Sequence, residues 1–256
     1  MDQDYSKSNQ KSRAQAQSGV ETTNAQVIEI NDGQSATINS ARSRAGAGIE
    51  INKVLRNTYL LLSMTLLFSG LTASISMALN MPPMTYLISV IGGMVIAMFV
   101  LPRFANSPAG IGIVFLVTGM LGFGLGPMLT MYASLPNGGN IIMLSLGGTG
   151  VIFMGLSAYV LATRKDFSFL GGFLMVGFLL VLVAAVANIF LQMPVMSLMI
   201  SSVVILIMSG FILYDTSRII HGGETNYILA TIGLYMTIFN IFISLLQLLG
   251  IMGGDD

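Results

Sequence analysis

The stretch VMSLMISSVVILIMSGFILYDTSRIIHGG, residues 195–223, runs through twenty uncharged residues before an Asp, an Arg and the chain's only His arrive within seven positions. A helix rises 1.5 Å per residue, so about 20 apolar residues cross a hydrocarbon layer ~30 Å thick. The stretch therefore reads as one membrane span. Asp215 lies about one turn inside its charged end, with Arg218 three residues further on.

Extending the count in both directions gives seven spans, at 57–79, 84–101, 109–133, 140–163, 168–191, 195–217 and 227–250. Short polar or Pro/Gly breaks separate them: NMPPM, PRFANSP, SLPNGG, RKD, QMP and RIIHGGETN. Water is absent from the bilayer core, and a helix satisfies its own backbone groups, so helices are the form these runs take. The fold class is all-α: a polytopic membrane protein of seven transmembrane helices in a bundle, preceded by a disordered N-terminal tail. Composition agrees, with 54% hydrophobic and 9% charged residues among 256, against roughly 25% charged in a soluble domain.

Charge is unevenly placed. Of the 22 Lys, Arg, Asp and Glu residues, 13 lie at or before Arg56. Residues 1–52, rich in Gln, Ser, Asn, Ala and Thr, bury too little apolar surface to offset ordering entropy and are expected to form a disordered cytoplasmic tail. Residues 53–256 form the transmembrane domain. The tail lacks the pattern of a cleaved signal peptide, so the first span is expected to act as an uncleaved signal. Basic residues fix orientation when loops are short. Arg42, Arg44, Lys53, Arg56, Arg103, Arg164, Lys165 and Arg218 all fall on one side, and the loops at 80–83, 134–139 and 192–194 contain no Lys or Arg. This puts the N-terminus in the cytoplasm and the C-terminal GGDD outside. The scattered basic residues make no patch for nucleic acid. The absence of cysteine excludes disulfides, thiolate metal sites and cysteine nucleophiles.

The seventh span divides into two faces. Asn226, Ala230, Gly233, Thr237, Asn240, Ser244 and Gln247 recur at three- and four-residue steps as a small, polar stripe expected to meet other helices, opposite a bulky apolar face that includes Tyr235. Glycines in spans three and four fit close helix packing rather than a phosphate loop, and the 19 Met fit apolar filling. Asp215 admits two readings. It forms an interfacial i, i+3 pair with Arg218, or it faces the bundle and responds to protons against span seven. His221 and Glu224 follow in a loop and are too few for a metal site. No HExxH occurs, a Tyr214-Asp215 pair lacks a second acidic motif, and no motif serine stands against the lone His, so an enzyme is not expected.

The segments NKVLRNTYLLLS (52–63), RKDFSFLGG (164–172), NIF (188–190), FILYDTSRIIHGGETNYI (211–228) and LYMTIFNIFISLLQLLG (234–250) resemble the transmembrane Bax inhibitor motif family. The resemblance covers residues 52–250 and is closest to its proteobacterial branch. It implies a seven-helix bundle with the last helix central, no cofactor, and an inner-membrane protein whose partners are the AAA protease FtsH and its accessory membrane proteins. The implied function is binding and inhibition of that protease as a slow substrate. The alternative that it implies is a pH-sensitive cation leak channel, in which two aspartates share a proton. Asp215 matches the first of these, the second falls at Thr237, and a basic position of such relatives falls near Gln247. Asp215, Arg218, Thr237 and Asn240 are therefore the candidate proton-sensing or ion-path residues.

Overall fold

The computed structural model describes residues 50–253. Seven helices in it are long and apolar enough to cross a membrane: α1 (Glu50–Ala78), α2 (Met84–Phe104), α3 (Ala109–Ala133), α4 (Gly138–Thr163), α5 (Leu170–Leu191), α6 (Pro194–Ile220) and α7 (Tyr227–Met252). No strand occurs among the described residues. The expected tail, up to residue 49, and the terminal residues 254–256 lie outside them.

The helices outrun the apolar runs at several ends. α1 starts at Glu50 rather than 57, α2 continues to Phe104 rather than 101, and α6 continues to Ile220 rather than 217. A hydropathy count stops at the first charged group, whereas the backbone ladder continues into the interface and long Lys and Arg side chains reach back to water. In α2 the continuation passes through a π turn at Ile96–Val100. Pro102 has no N–H to donate to the carbonyl four residues earlier, and the wider turn brings Leu101 to full burial.

Position within the bundle follows from what each helix can bury. α7 is central: no residue from Asn226 to Ile251 is exposed. Both of its faces are covered, so the bulky face is as internal as the polar one. It packs on α6, α4 and α3, while α2 lies along α3. α5 is peripheral and leans on α6, with Leu174 its one buried residue. α1 buries a stripe at Thr58, Leu61, Leu62, Thr65, Ser69, Ala73 and Ser76, the three- and four-residue steps of one helix face.

The glycines of α3 divide between two neighbours. Cβ atoms on Gly122 and Gly126 would collide with Ser69 and Ser76 of α1, and one on Gly124 would come 2.7 Å from the Ser89 Cβ of α2. Small residues allow close approach where apolar side chains would gain nothing over lipid. Replacing Gly122 by Ala is expected to destabilise the bundle by about 1–3 kcal/mol, because backbone as well as side chain must move. Gly112→Ala, where no atom lies within 4 Å of the new carbon, should stay within about 1 kcal/mol of the parent. Thermal unfolding in detergent checks the pair, and equal melting temperatures would contradict the assignment.

Candidate functional site

Polar groups collect at the end of the bundle that carries Arg103, Arg164, Lys165 and Arg218, where α6 ends against α7. The two helices run antiparallel in fixed register. At the far end Ser201 donates to Gln247 Oε1 at 3.0 Å, and at the basic end Asp215 Oδ2 lies 3.6 Å from the place a Cβ on Gly233 would occupy. The fourteen residues from Ser201 to Asp215 match the fourteen from Gln247 back to Gly233. Gly233 leaves the room into which the carboxylate fits.

Asp215 is half-buried and has no hydrogen bond or ion pair among the described residues. The i, i+3 pair with Arg218 is not formed. Arg218 instead pairs with Glu224 Oε2 at 3.4 Å, donates to the Gly223 carbonyl at 3.1 Å, and stands over the Tyr214 ring at 5.5 Å. The physical reason is direction. The exposed carbonyls and negative end of the helix dipole draw a guanidinium outward, while Asp215 points into the α6–α7 seam. Thr237 is buried one turn from Gly233 and donates to the Gly233 carbonyl at 3.1 Å. Asn240 donates to the Met236 carbonyl at 2.8 Å. Of the four candidate residues, the structure gathers Asp215, Thr237 and Asn240 along one seam and turns Arg218 away.

The loop after α6 is built by its own side chains. Gly222 takes φ of 74°, a conformation in which glycine avoids the steric cost of a side chain, and Gly223 and Glu224 return their N–H groups to the Arg218 carbonyl. Glu224 Oε1 accepts from the Asn226 N–H at 3.0 Å. Asn226 caps α7 by accepting from Ile228 and Leu229, and its amide donates to Ala105 and Asn106 between α2 and α3.

A serine outside any nucleophile motif stands against His221. Ser217 Oγ lies 3.3 Å from His221 Nδ1 and 3.4 Å from Asp166 Oδ1. This grouping does not form an activated nucleophile. Ser217 is fully buried and its oxygen already accepts from the Phe167 N–H at 2.9 Å. Asp166 does not orient the imidazole, whose nitrogens face the Ser217 and Arg164 carbonyls at 2.9 and 3.2 Å. A nucleophile needs a base behind it and an open approach in front. The arrangement fastens the α4–α5 loop to the end of α6. Among the described residues no three His, Asp or Glu groups come together to hold a metal ion.

Sequence reasoning missed the hydroxyls that tie α1 to the rest. Tyr235, assigned to the apolar face of α7, is fully buried with its hydroxyl 2.7 Å from Ser69 Oγ and 3.3 Å from the Thr118 carbonyl. Thr231, whose hydroxyl donates to the Tyr227 carbonyl at 2.7 Å, comes within 3.3 Å of the Thr58 carbonyl. Tyr59 hydrogen-bonds Ser157, which lies 3.1 Å from Thr216 Oγ1 beside Asp215. The signal was present as Thr58, Thr65, Ser69, Thr72 and Ser76 at helical spacing, together with the rule that a buried Tyr hydroxyl finds a partner.

The family described as Inhibitor of apoptosis-promoting Bax1 matches residues 51–254, which takes in nearly all of the seven helices. Over 207 residues the chain is 53% identical to the modulator of FtsH protease YccA of Escherichia coli K12, spanning 81% of this chain and 94% of that protein. The same extent and identity relate it to the inner membrane protein YccA of another Escherichia coli strain. An uncharacterized membrane protein of Vibrio cholerae is 50% identical over 208 residues, 81% of this chain and 93% of the relative.

Hydrogen bonds from Ser168, hydroxyl and backbone N–H, hold the Asp166 carboxyl below its usual 3.8, with smaller help from His221 and Ser217. A lowered carboxyl pKa contributes its stabilisation above the ordinary range and loses it as pH falls through the folded value. Hydrogen exchange at the Ser168 amide, corrected for intrinsic rate, should therefore stay level from about pH 7 to about pH 5 and rise only in stronger acid. Asp166→Asn should raise it throughout. A wild-type rise between those two pH values would contradict the assignment.

Proposed function

The chain belongs to the Bax inhibitor family, and from that premise we propose that it resides in the bacterial inner membrane and binds and restrains the membrane AAA protease FtsH as a slowly processed substrate. The observation that carries this reading is identity of just over half with a named FtsH modulator, sustained across 94% of that protein. Seven apolar helices with basic loops on one side suit the same role. In this reading the N-terminus and the basic loops are cytoplasmic, the C-terminus is periplasmic, and FtsH with its accessory membrane proteins is the partner.

Residues 1–49 supply the handle. Full extension of about 50 residues would span at most about 150 Å or a little more, a length that suffices to reach an ATPase ring at the membrane surface. A substrate held by the ring but slowly extracted occupies it against others by mass action. The seam of Asp215, Thr237 and Asn240 then serves packing of α6 on α7. A leak gated by an acidic pair lacks its second member, because α7 contains no Asp or Glu and Thr237 turns its hydroxyl back to its own helix.

Affinity capture from detergent-solubilised membranes should recover FtsH together with its accessory proteins. Removing residues 1–40 should lengthen the half-life of the protein in cells that contain FtsH and leave it unchanged in cells depleted of it. An unchanged half-life after truncation would remove the tail as the handle, and failure to recover FtsH would remove the partner.

A further inference from the structure

Resting on that reading, we propose that the hydroxyl bonds joining α1 to α4 and α7 are the brake that makes extraction slow, and that Tyr235 and Tyr59 are its two main teeth. A protease that pulls on the N-terminal tail draws α1 out before any other helix. Whatever holds α1 therefore sets the first barrier.

The contacts of α1 point to those bonds. Apolar packing alone gives little retention inside a bilayer, since lipid chains offer equivalent contacts. It is also incomplete here. Between α1, α3, α4 and α7 lies a groove of about 210 Å³ lined by Leu66, Gly70, Ser74, Leu146 and Phe242, among others. At its base Ser69 of α1 donates to the Tyr235 hydroxyl, 2.7 Å away, and Tyr235 donates in turn to the Thr118 carbonyl of α3 at 3.3 Å. One buried phenol thus joins α1, α3 and α7 where side-chain packing lapses. Nearer the basic end, Tyr59 of α1 bonds Ser157 of α4, which lies 3.1 Å from Thr216 of α6. The Thr231 hydroxyl of α7, which donates to the Tyr227 carbonyl of its own helix at 2.7 Å, lies 3.3 Å from the Thr58 carbonyl and adds a weaker contact. Withdrawing α1 breaks these bonds together, and in hydrocarbon no water replaces them.

The bonds are directional in effect. Among the described residues α5 has no such tie to α1 and α6 reaches it only through Ser157 of α4, and the contacts between α5 and α6, such as Gly210 against Leu174, come under load only after α1 and its neighbours have gone. A change there lowers stability without touching the first barrier.

The test uses the full chain and Tyr235→Phe, Tyr59→Phe and the double variant, which remove hydroxyls and leave the rings, with Gly210→Ala as the comparison. Melting temperatures in detergent place the variants on a common stability scale. In cells containing FtsH, each Phe variant should shorten the half-life by about threefold or more, as loss of one interhelical bond allows, and Gly210→Ala at equal melting temperature should not. Equal acceleration by Gly210→Ala, or none in the double variant, overturns the brake. A wild-type half-life that is the same with and without FtsH overturns the underlying reading instead. Mechanical unfolding in bicelles separates the two without the protease. Pulled from the N-terminus, Tyr235→Phe should lower the first rupture force, and pulled from the C-terminus it should leave the rupture of α5 from α6 unchanged. An unaltered first rupture from the N-terminus overturns the brake whatever the cells show.

Discussion

The structure depends on the absence of water from the hydrocarbon layer. An unpaired polar group there costs several kcal/mol, so each hydroxyl, amide and carboxylate in the seven helices has to be met from within the bundle or kept at its ends. α7 carries Thr231, Thr237, Asn240, Ser244 and Gln247 along its length and is enclosed on all sides, while α5, the most apolar helix, stands at the edge. In a soluble protein the ordering is reversed, with the most apolar element in the middle. Here lipid covers apolar surface as well as protein does, and polarity draws a helix inward.

Glycine and hydroxyl groups act jointly in that arrangement. Gly122 and Gly126 of α3 let the backbone of α1 approach, and the approach brings Ser69 within reach of Tyr235. Gly233 of α7 lets Asp215 enter the seam with α6, and the same register places Ser201 on Gln247 at the opposite end. Close backbone contact and hydrogen bonding are thus two aspects of one solution, since a bulky residue at any of these glycines would part the helices and leave hydroxyls without partners. Two side-chain oxygens, those of Thr58 and Ser76, remain buried without a partner among the described residues, both on the same stripe of α1.

Span number and fold class were legible because hydropathy over twenty residues is a local property, and charge runs mark the basic end without any knowledge of packing. The central place of α7 was partly legible in its polar stripe. What the sequence hid were pairings between residues far apart in the chain. The bond between Ser69 and Tyr235 joins positions separated by 166 residues, and nothing in the periodicity of either helix names the other. Tyr235 read as apolar because its ring is. One of the two readings of Asp215 paired it with Arg218 because three residues separate them, yet spacing gives only the opportunity, and Glu224 beyond the helix end is the better placed acid for Arg218. Likewise the serine beside His221 lay within one turn of it in plain view, and only the fold shows its oxygen turned to the Phe167 amide.

The π turn at Ile96–Val100 bears on how chain length can vary in this bundle. An α-helix advances about 100° per residue, and a turn holding one extra residue throws the two halves of the helix out of phase with each other. Residues up to Val95 and those from Leu101 onward therefore belong to two different helical wheels, and a single wheel drawn through α2 would place Leu101 and Arg103 on the wrong sides. Such a turn can also take up or give back one residue by switching between π and α geometry. It is the point at which an insertion or deletion in α2 can be absorbed while Leu101 stays inside and Arg103 stays at the membrane surface.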